Sequence, residues 1–303
     1  MKNILITGVS GYIAPYLCKA LLHSGSKNVY GIYNSHRPYT KGIELIRCNL
    51  TDTEKLTSVI KDIKPDLVYH LASVTPTRIT NEEDTYISRF NGGVSGEIAK
   101  LCTTLGALMI YTSTDLVYKA GTDLKEDTSP LEPLTIYAKT KLEGEEAVKQ
   151  YAERYFILRT SLVYGFTLST YTSFFDAAYK SLSEGNQIRA FTDQFRNALY
   201  TEDAADILAN LPGKYRQNEI INFCGNEYIS RYYMCLGMCD VFGFERSLVI
   251  PASSDEFTKY PMVKELGLST EKKNKYVFDT GTYLDNLGKA KEIVKTISNT
   301  DLR

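Results

Sequence analysis

Six short, almost unbroken apolar runs punctuate the first half of the chain, and their spacing constrains the fold more than any other feature. They are NILIT (3–7), NVYGIY (28–33), IELIRC (43–48), DLVYHLA (66–72), ALMIYTS (107–113) and YFILRTS (155–161). Helical patterns lie between them at 12–24, 52–63, roughly 83–104 and 135–152, the second behind a Thr51-x-x-Glu54 capping box. Strands that are apolar throughout must be covered on both faces. The alternation therefore predicts an α/β fold, a Rossmann-like doubly wound parallel sheet between two layers of helices. Such sheets bind ligands at the carboxyl ends of their strands.

The first strand runs straight into ILITGVSGYIAPYL, which places Gly8, Gly11 and Ala14 in a T-G-x-x-G-x-x-A frame at the mouth of a helix. Glycine serves where the chain turns tightly and where backbone must press against a pyrophosphate. The helix N-terminus adds free N–H groups and a positive dipole. On strand one of an alternating sheet this pattern predicts dinucleotide binding. A reader of the ribose 2′-hydroxyl would put a carboxylate after strand two. Here Asn34, Ser35, His36 and Arg37 follow instead, and no carboxylate comes before Glu44. An arginine with small polar donors suits a 2′-phosphate, so NADP(H) is favoured and NAD(H) stays open.

Residues 1–165 are accordingly expected to form the dinucleotide-binding part. After Gly165 the pattern loosens into a helix near 171–184, strands at 187–191 and 219–225, and a helix from about Ser230. The strand near 219–225 is read as returning to the first part. Residues 166–303 are read as mostly a smaller, interleaved α+β lobe for the substrate.

Within TIYAKTKLEGEE, Tyr137 and Lys141 stand four residues apart on one helix face, roughly 6 Å apart at Cβ. Beside a nicotinamide such a pair has work to do. Reducing a ketone takes hydride on carbon and a proton on oxygen, and a free tyrosine, with pKa near 10, is a sluggish acid. A fixed ammonium that brought it to roughly 7 would supply about 4 kcal/mol. The remaining donors of the lysine would hold the nicotinamide ribose. YTSTDLVY, at the end of the fifth strand, supplies a hydroxyl to orient the carbonyl, with Thr114 first and Ser113 second.

At these residues the chain resembles the extended short-chain dehydrogenase/reductase superfamily, and within it the dTDP-4-dehydrorhamnose reductases and related sugar-nucleotide enzymes. The motifs are TGVSGYIA (7–14), CNLTD (48–52), HLAS (70–73), STDLVY (113–118), IYAKTKLEGE (136–145), LRTSLVYG (158–165) and DQFRN (193–197). They run in family order from residue 1 to about 230. The resemblance implies Thr114, Tyr137 and Lys141 as the catalytic set. It implies cofactor contacts from Gly11, Tyr12 and Ile13, from Asn49 and Leu50 beneath the adenine, and from Ala72, Ser73 and Val74. It also implies that Asp115 touches the sugar. Tyr12 stands where the reductases usually have Gln, Asn49 where they have Asp, and Leu162 where Trp is frequent. DQFRNAL replaces D-Q-x-G-x-P-T. Gln194 and Arg196 offer donors for a substrate diphosphate, with a surface salt bridge the competing role of Arg196.

Charge narrows the partners. With 35 basic and 36 acidic side chains the net charge is −1, which gives no footprint for nucleic acid or an anionic membrane. Six cysteines form no C-x-x-C pair and read as buried reduced thiols, so no metal site is expected. The apolar burst of MKNILITG is too short for a signal segment, which makes the cytoplasm the default. His70 reads as a satisfied core residue, EKKNK (271–275) as a solvated loop, and LKEDTSP (124–130) as a mobile flap near the site.

The leading functional expectation is an NADPH-dependent reductase of a 4-keto nucleoside-diphosphate sugar, compatible with a homodimer. A nucleotide-sugar epimerase or dehydratase, and a non-catalytic regulatory subunit that binds NADP, are the alternatives. Against a dehydratase, Asp115 is followed by Leu116 where an acidic pair would be expected.

Overall fold

The computed structural model describes residues 2–26, 28–38, 40–75, 84–169, 172–213, 217–256, 262–275 and 280–299. The six apolar runs become β1 (Asn3–Thr7), β2 (Asn28–Tyr33), β3 (Glu44–Arg47), β4 (Leu67–His70), β5 (Leu108–Thr114) and β6 (Tyr155–Thr160). A seventh strand, β7 (Glu219–Phe223), pairs in parallel with β6, Ile221 opposite Leu158. The sheet is parallel throughout and runs β7-β6-β5-β4-β1-β2-β3. This is the expected doubly wound sheet. Its order reverses between β1 and β4, so their carboxyl ends diverge into a crevice.

Helices α1 (Ala14–His23), α2 (Thr53–Ile63), α3 (Asp84–Ser88), α4 (Val94–Leu105), α5 (Ile136–Tyr151), α6 (Phe174–Ser183) and α7 (Thr201–Asn210) follow. Strand alternation sends Ile4 and Ile6 to one face, with Leu17, Leu21 and Leu208 from α1 and α7. Leu5, Val68 and Met109 face the other way, against Leu56, Ile60 and Ile98 of α2 and α4. Each such fully buried side chain stabilises by about 1.5–3 kcal/mol. Local signals set the helix ends. The cap of α2 is Asp52, whose carboxylate accepts from the Lys55 N–H at 3.1 Å, and not Thr51, whose hydroxyl donates to Asn49. α4 stops at Gly106 in the left-handed region, φ 69°. The expected single helix over 83–104 is interrupted by a π turn at Arg89–Gly93.

The later residues build a second cluster around α8 (Arg231–Phe242) and α10 (Tyr283–Asn299), rich in aromatic contacts such as Tyr164–Tyr283 and Phe166–Phe175. A small sheet places Phe195–Asn197 between Tyr228–Ser230 and Glu265–Leu268, with Gly121–Leu124 at its edge. Two expectations need correction here. EKKNK forms a short helix, α9 (Glu271–Lys275), not a solvated loop. Lys273 is buried, donating to the Cys224 carbonyl at 3.0 Å and Asn226 at 2.7 Å, and Lys272 pairs with Glu219 at 2.6 Å. The 124–130 stretch is not a free flap. Glu126 is buried and accepts from the Asn222 N–H at 2.8 Å, and Ser129 closes a turn on Lys125. All six cysteines are buried free thiols. Among the described residues, no helix is long and apolar enough to cross a membrane, and no group of three or more His, Cys, Asp or Glu could hold a metal.

Candidate active site

The glycine turn sits at the crevice. Gly8 has φ 71°, and a Cβ there would lie 2.7 Å from the Ala72 backbone, so the loops after β1 and β4 touch where only glycine fits. Gly11 closes the turn by donating to the Gly8 carbonyl at 2.8 Å. Ile13 is the N-cap of α1 and provides no side-chain cap. Tyr12 is half-buried, and its hydroxyl donates to the Gly165 carbonyl and lies 3.4 Å from Ser173 Oγ. Tyr16, one turn on, donates to the Phe166 carbonyl at 2.7 Å. The turn is thereby tied to the start of the second cluster.

Thr135 caps α5 by accepting from the Ala138 N–H at 3.1 Å, and this fixes Tyr137 and Lys141 at the strand ends. The Tyr137 phenol has Ser73, from the loop after β4, as a neighbour. Burial pushes its pKa up to about 12, with the Ser73 hydroxyl pulling it down and the Asp115 charge pushing it up. Lys141 is 1% exposed, and its Nζ has no hydrogen-bond partner in the protein. It lies 4.1 Å from the centre of the Tyr111 ring. Burial brings it down to about 7, partly opposed by Glu145. Desolvation is the dominant influence on the Tyr137 phenol. The Lys141 ammonium faces the Tyr111 ring.

Two neighbouring hydroxyls have opposite fates. Ser113 is spent on Glu145, donating at 2.5 Å. Thr114, at the tip of β5, accepts from the Leu116 N–H at 3.3 Å and makes a long bond to Asp115 at 3.4 Å, which a better acceptor can replace. The geometry thus favours Thr114 of the two.

Asn34, Ser35 and Arg37 lie exposed beyond β2, and Ser35 Oγ is 3.0 Å from His36 Nδ1. Arg47, at the end of β3, donates to the Asn34 carbonyl at 3.0 Å and adds a second cation to this loop. Asn49 accepts from the Thr51 N–H at 3.1 Å and hydroxyl at 3.0 Å, and Leu50 is buried beside it.

Asp115 and Arg196 meet across the two clusters, Nε to Oδ2 at 3.6 Å, with Ser161 donating to the same oxygen at 2.9 Å. The rest of the Arg196 guanidinium goes to carbonyls of Phe195 (2.6 Å), Lys264 (3.0 Å) and Val263 (2.7 Å). Burial lowers the pKa of Arg196 and raises that of Asp115, each opposed by the other. Gln194 accepts from Arg231 Nε at 2.6 Å, and that guanidinium stacks on Phe174 at 4.5 Å.

Sequence reasoning passed over Asn91, Glu145, Arg47 and Arg231. Asn91 sits in the π turn and pins Val74, its Oδ1 accepting from the backbone N–H at 2.9 Å and its Nδ2 donating to the carbonyl at 3.1 Å. The same amide group donates to Thr140 on α5 at 3.1 Å. His70 is a core residue, as read, with Thr7 at 2.7 Å on Nδ1 and Ser95 at 3.0 Å on Nε2. Burial takes it down to about 3, and the Lys141 charge adds to this.

Several features fit a dinucleotide: a glycine turn that opens a helix, the α1 terminus without a side-chain cap, and an ammonium with three unused donors. Among relatives, 263 residues are 29% identical to methionine adenosyltransferase 2 subunit beta of Xenopus tropicalis, covering 84% of this chain and 76% of that one. Over 220 residues the chain is also 29% identical to the spore coat polysaccharide biosynthesis protein SpsK of Bacillus subtilis, covering 71% and 72%. The dTDP-4-dehydrorhamnose reductase of Bacillus anthracis, solved in complex with NADP, shares the fold with TM-score 0.80 at 19% identity, over 96% of this chain and 99% of that one. Residues 1–280 match the RmlD substrate binding domain. A match of that length makes this chain a member of the RmlD substrate binding domain family.

Proposed function

We propose that this protein uses NADPH to reduce a 4-keto (6-deoxy) nucleoside-diphosphate sugar, of the dTDP-4-dehydrorhamnose kind. The buried, unpartnered ammonium of Lys141, one turn beyond Tyr137, carries this reading. Removing an ammonium from water without a partner costs several kcal/mol, so a site that keeps one is built for an acceptor from outside the chain. The nicotinamide ribose hydroxyls supply it. Gly8, Gly11, Tyr12 and Ile13 face the pyrophosphate, Asn49 and Leu50 the adenine, and Ala72, Ser73 and Val74 the nicotinamide end. Asn34, Ser35 and Arg37 receive the 2′-phosphate, with Arg47 beside them.

NADPH, when bound there, would supply the hydride, with its two electrons, that turns the ketone into an alcohol. Thr114 orients the carbonyl oxygen, and Tyr137 gives that oxygen its proton. A phenol held protonated near neutral pH suits this direction of reaction. Asp115 and Gln194 meet the sugar and diphosphate, and Arg196 holds Asp115 in place.

A second reading has a specific support. The 29% likeness to methionine adenosyltransferase 2 subunit beta favours a subunit that binds the cofactor and a partner protein without turnover. One experiment separates them. The protein is mixed with NADPH and dTDP-4-dehydrorhamnose while nicotinamide absorbance and sugar product are both followed. One cofactor oxidised per sugar reduced supports the reductase. Converted sugar with no cofactor loss moves the assignment to an epimerase, and neither change favours the subunit.

A further inference from the structure

Behind the site lies a group the proposed chemistry leaves unassigned. Glu145 is 0% exposed and stands one turn beyond Lys141 on the same face of α5. Ser113 donates to its Oε1 at 2.5 Å. Arg159, on β6, donates through Nε to Oε1 at 3.1 Å and through Nη2 to Oε2 at 2.8 Å. The guanidinium is itself fixed, 4.6 Å from the centre of the Tyr118 ring and with Nη1 on the Glu126 carbonyl at 3.3 Å. A buried ion pair is weak evidence of stabilisation, since apolar residues of like volume often do as well. The pair therefore calls for another use, and its position supplies one. One carboxylate joins the helix bearing Tyr137 and Lys141 to the strand ending in Thr114.

We propose that Glu145 is a positioning residue for Lys141, holding α5 against the end of β5 and keeping a negative charge one turn from the ammonium. The titratable groups around that ammonium are few. His70, from β4, is held neutral by burial, and Tyr111, from β5, presents its ring and keeps its proton. Tyr137 precedes it on α5 and is protonated, while Arg159 lies on the far side of the carboxylate. Glu145 is thus the anion that favours the charged lysine. The use of that charge rests on the reading of Lys141 as the cofactor-facing ammonium, but its measurement does not.

The test titrates Lys141 in the 303-residue chain without cofactor. Lysine is labelled with 13C at Cε, and the Lys141 signal is identified by its loss in Lys141→Met. Its midpoint should fall by about one pH unit or more in Glu145→Gln. An unchanged midpoint overturns the proposal. Should Glu145→Gln not fold, the pair Glu145→Gln/Arg159→Met leaves no buried guanidinium unmatched and is read in the same way. A packing role alone would lower thermal stability without moving the midpoint. NADPH titrations of the same proteins form a separate arm. If the alkaline fall in affinity begins about one unit lower in the variant, the charge acts on the cofactor. If NADPH binds none of them, the functional reading fails, and the lysine titration still decides the role of Glu145.

Discussion

The Lys141 ammonium rests 4.1 Å from the ring centre of Tyr111, with no hydrogen-bond partner from the protein. A cation over an aromatic face is attracted to it, but the contact replaces few of the hydrogen bonds lost from water. The cost has a pH signature. Burial lowers this lysine to about 7 in the folded chain, against 10.5 as its ordinary value. Between those values the unfolded chain binds the extra proton, so stability rises with pH across that window. The penalty is fully present below pH 7. Lys141→Met should therefore raise the melting temperature of the ligand-free protein most below pH 7, by a stabilisation of order a few kcal/mol. The gain should fade towards pH 10, as thermal melts at several pH values would reveal.

Tyr137→Phe should remove the proton donor and little else. Turnover is expected to fall 10²–10⁴-fold, the range of acid–base assistance, while NADPH affinity stays within about twofold of the parent. Steady-state rates and a fluorescence titration check both halves. Retention of more than about a tenth of the activity would contradict the role.

Arg37 and Arg47 flank the loop beyond β2, and the Arg47 bond to the Asn34 carbonyl anchors it. NADPH should bind more tightly than NADH. Arg37→Ala should erase most of that difference, and Arg47→Ala should reduce it. Calorimetric titration of both cofactors against the three proteins measures this, and equal affinities in the parent would end the assignment.

Arg196 distinguishes a strut from a ligand clamp. Its guanidinium is taken by three carbonyls and Asp115, so removing it leaves a buried carboxylate unpaired. Arg196→Ala should cost about 3–5 kcal/mol of stability, seen as a shifted denaturant midpoint. A residue that chiefly gripped a diphosphate would instead raise KM with stability nearly intact.

What was legible in the sequence was local or periodic. The parallel sheet follows from apolar runs, and the turn at Gly8 and Gly11 follows from a strand that feeds a helix. The Tyr137–Lys141 pair needs no more than helical spacing. The misreadings share a cause in distance along the chain. Lys273 looked solvated because its acceptors, Cys224 and Asn226, lie nearly fifty residues earlier. Arg196 was read as a diphosphate donor or a surface salt bridge because the carbonyls of Val263 and Lys264 lie 67 and 68 residues later. Glu145 drew no reading of its own from the sequence, since nothing near it names Arg159 or Ser113 as partners. Asn91 acts from a π turn, which has no pattern of its own.

The strand that completes the sheet, β7, comes from residues 219–223, long after its neighbour β6 ends at Thr160. During synthesis the first half of the chain must wait with β6 bare, its backbone donors and acceptors open to any other strand. Cutting the chain after Gly165 would therefore not release a tidy module. The fragment would keep an apolar edge, Phe156 to Leu158, that the intact protein buries, and self-association on that edge is the expected fate. The fold is threaded back through itself, so the order of manufacture, and not just the finished shape, sets where this protein can be safely divided.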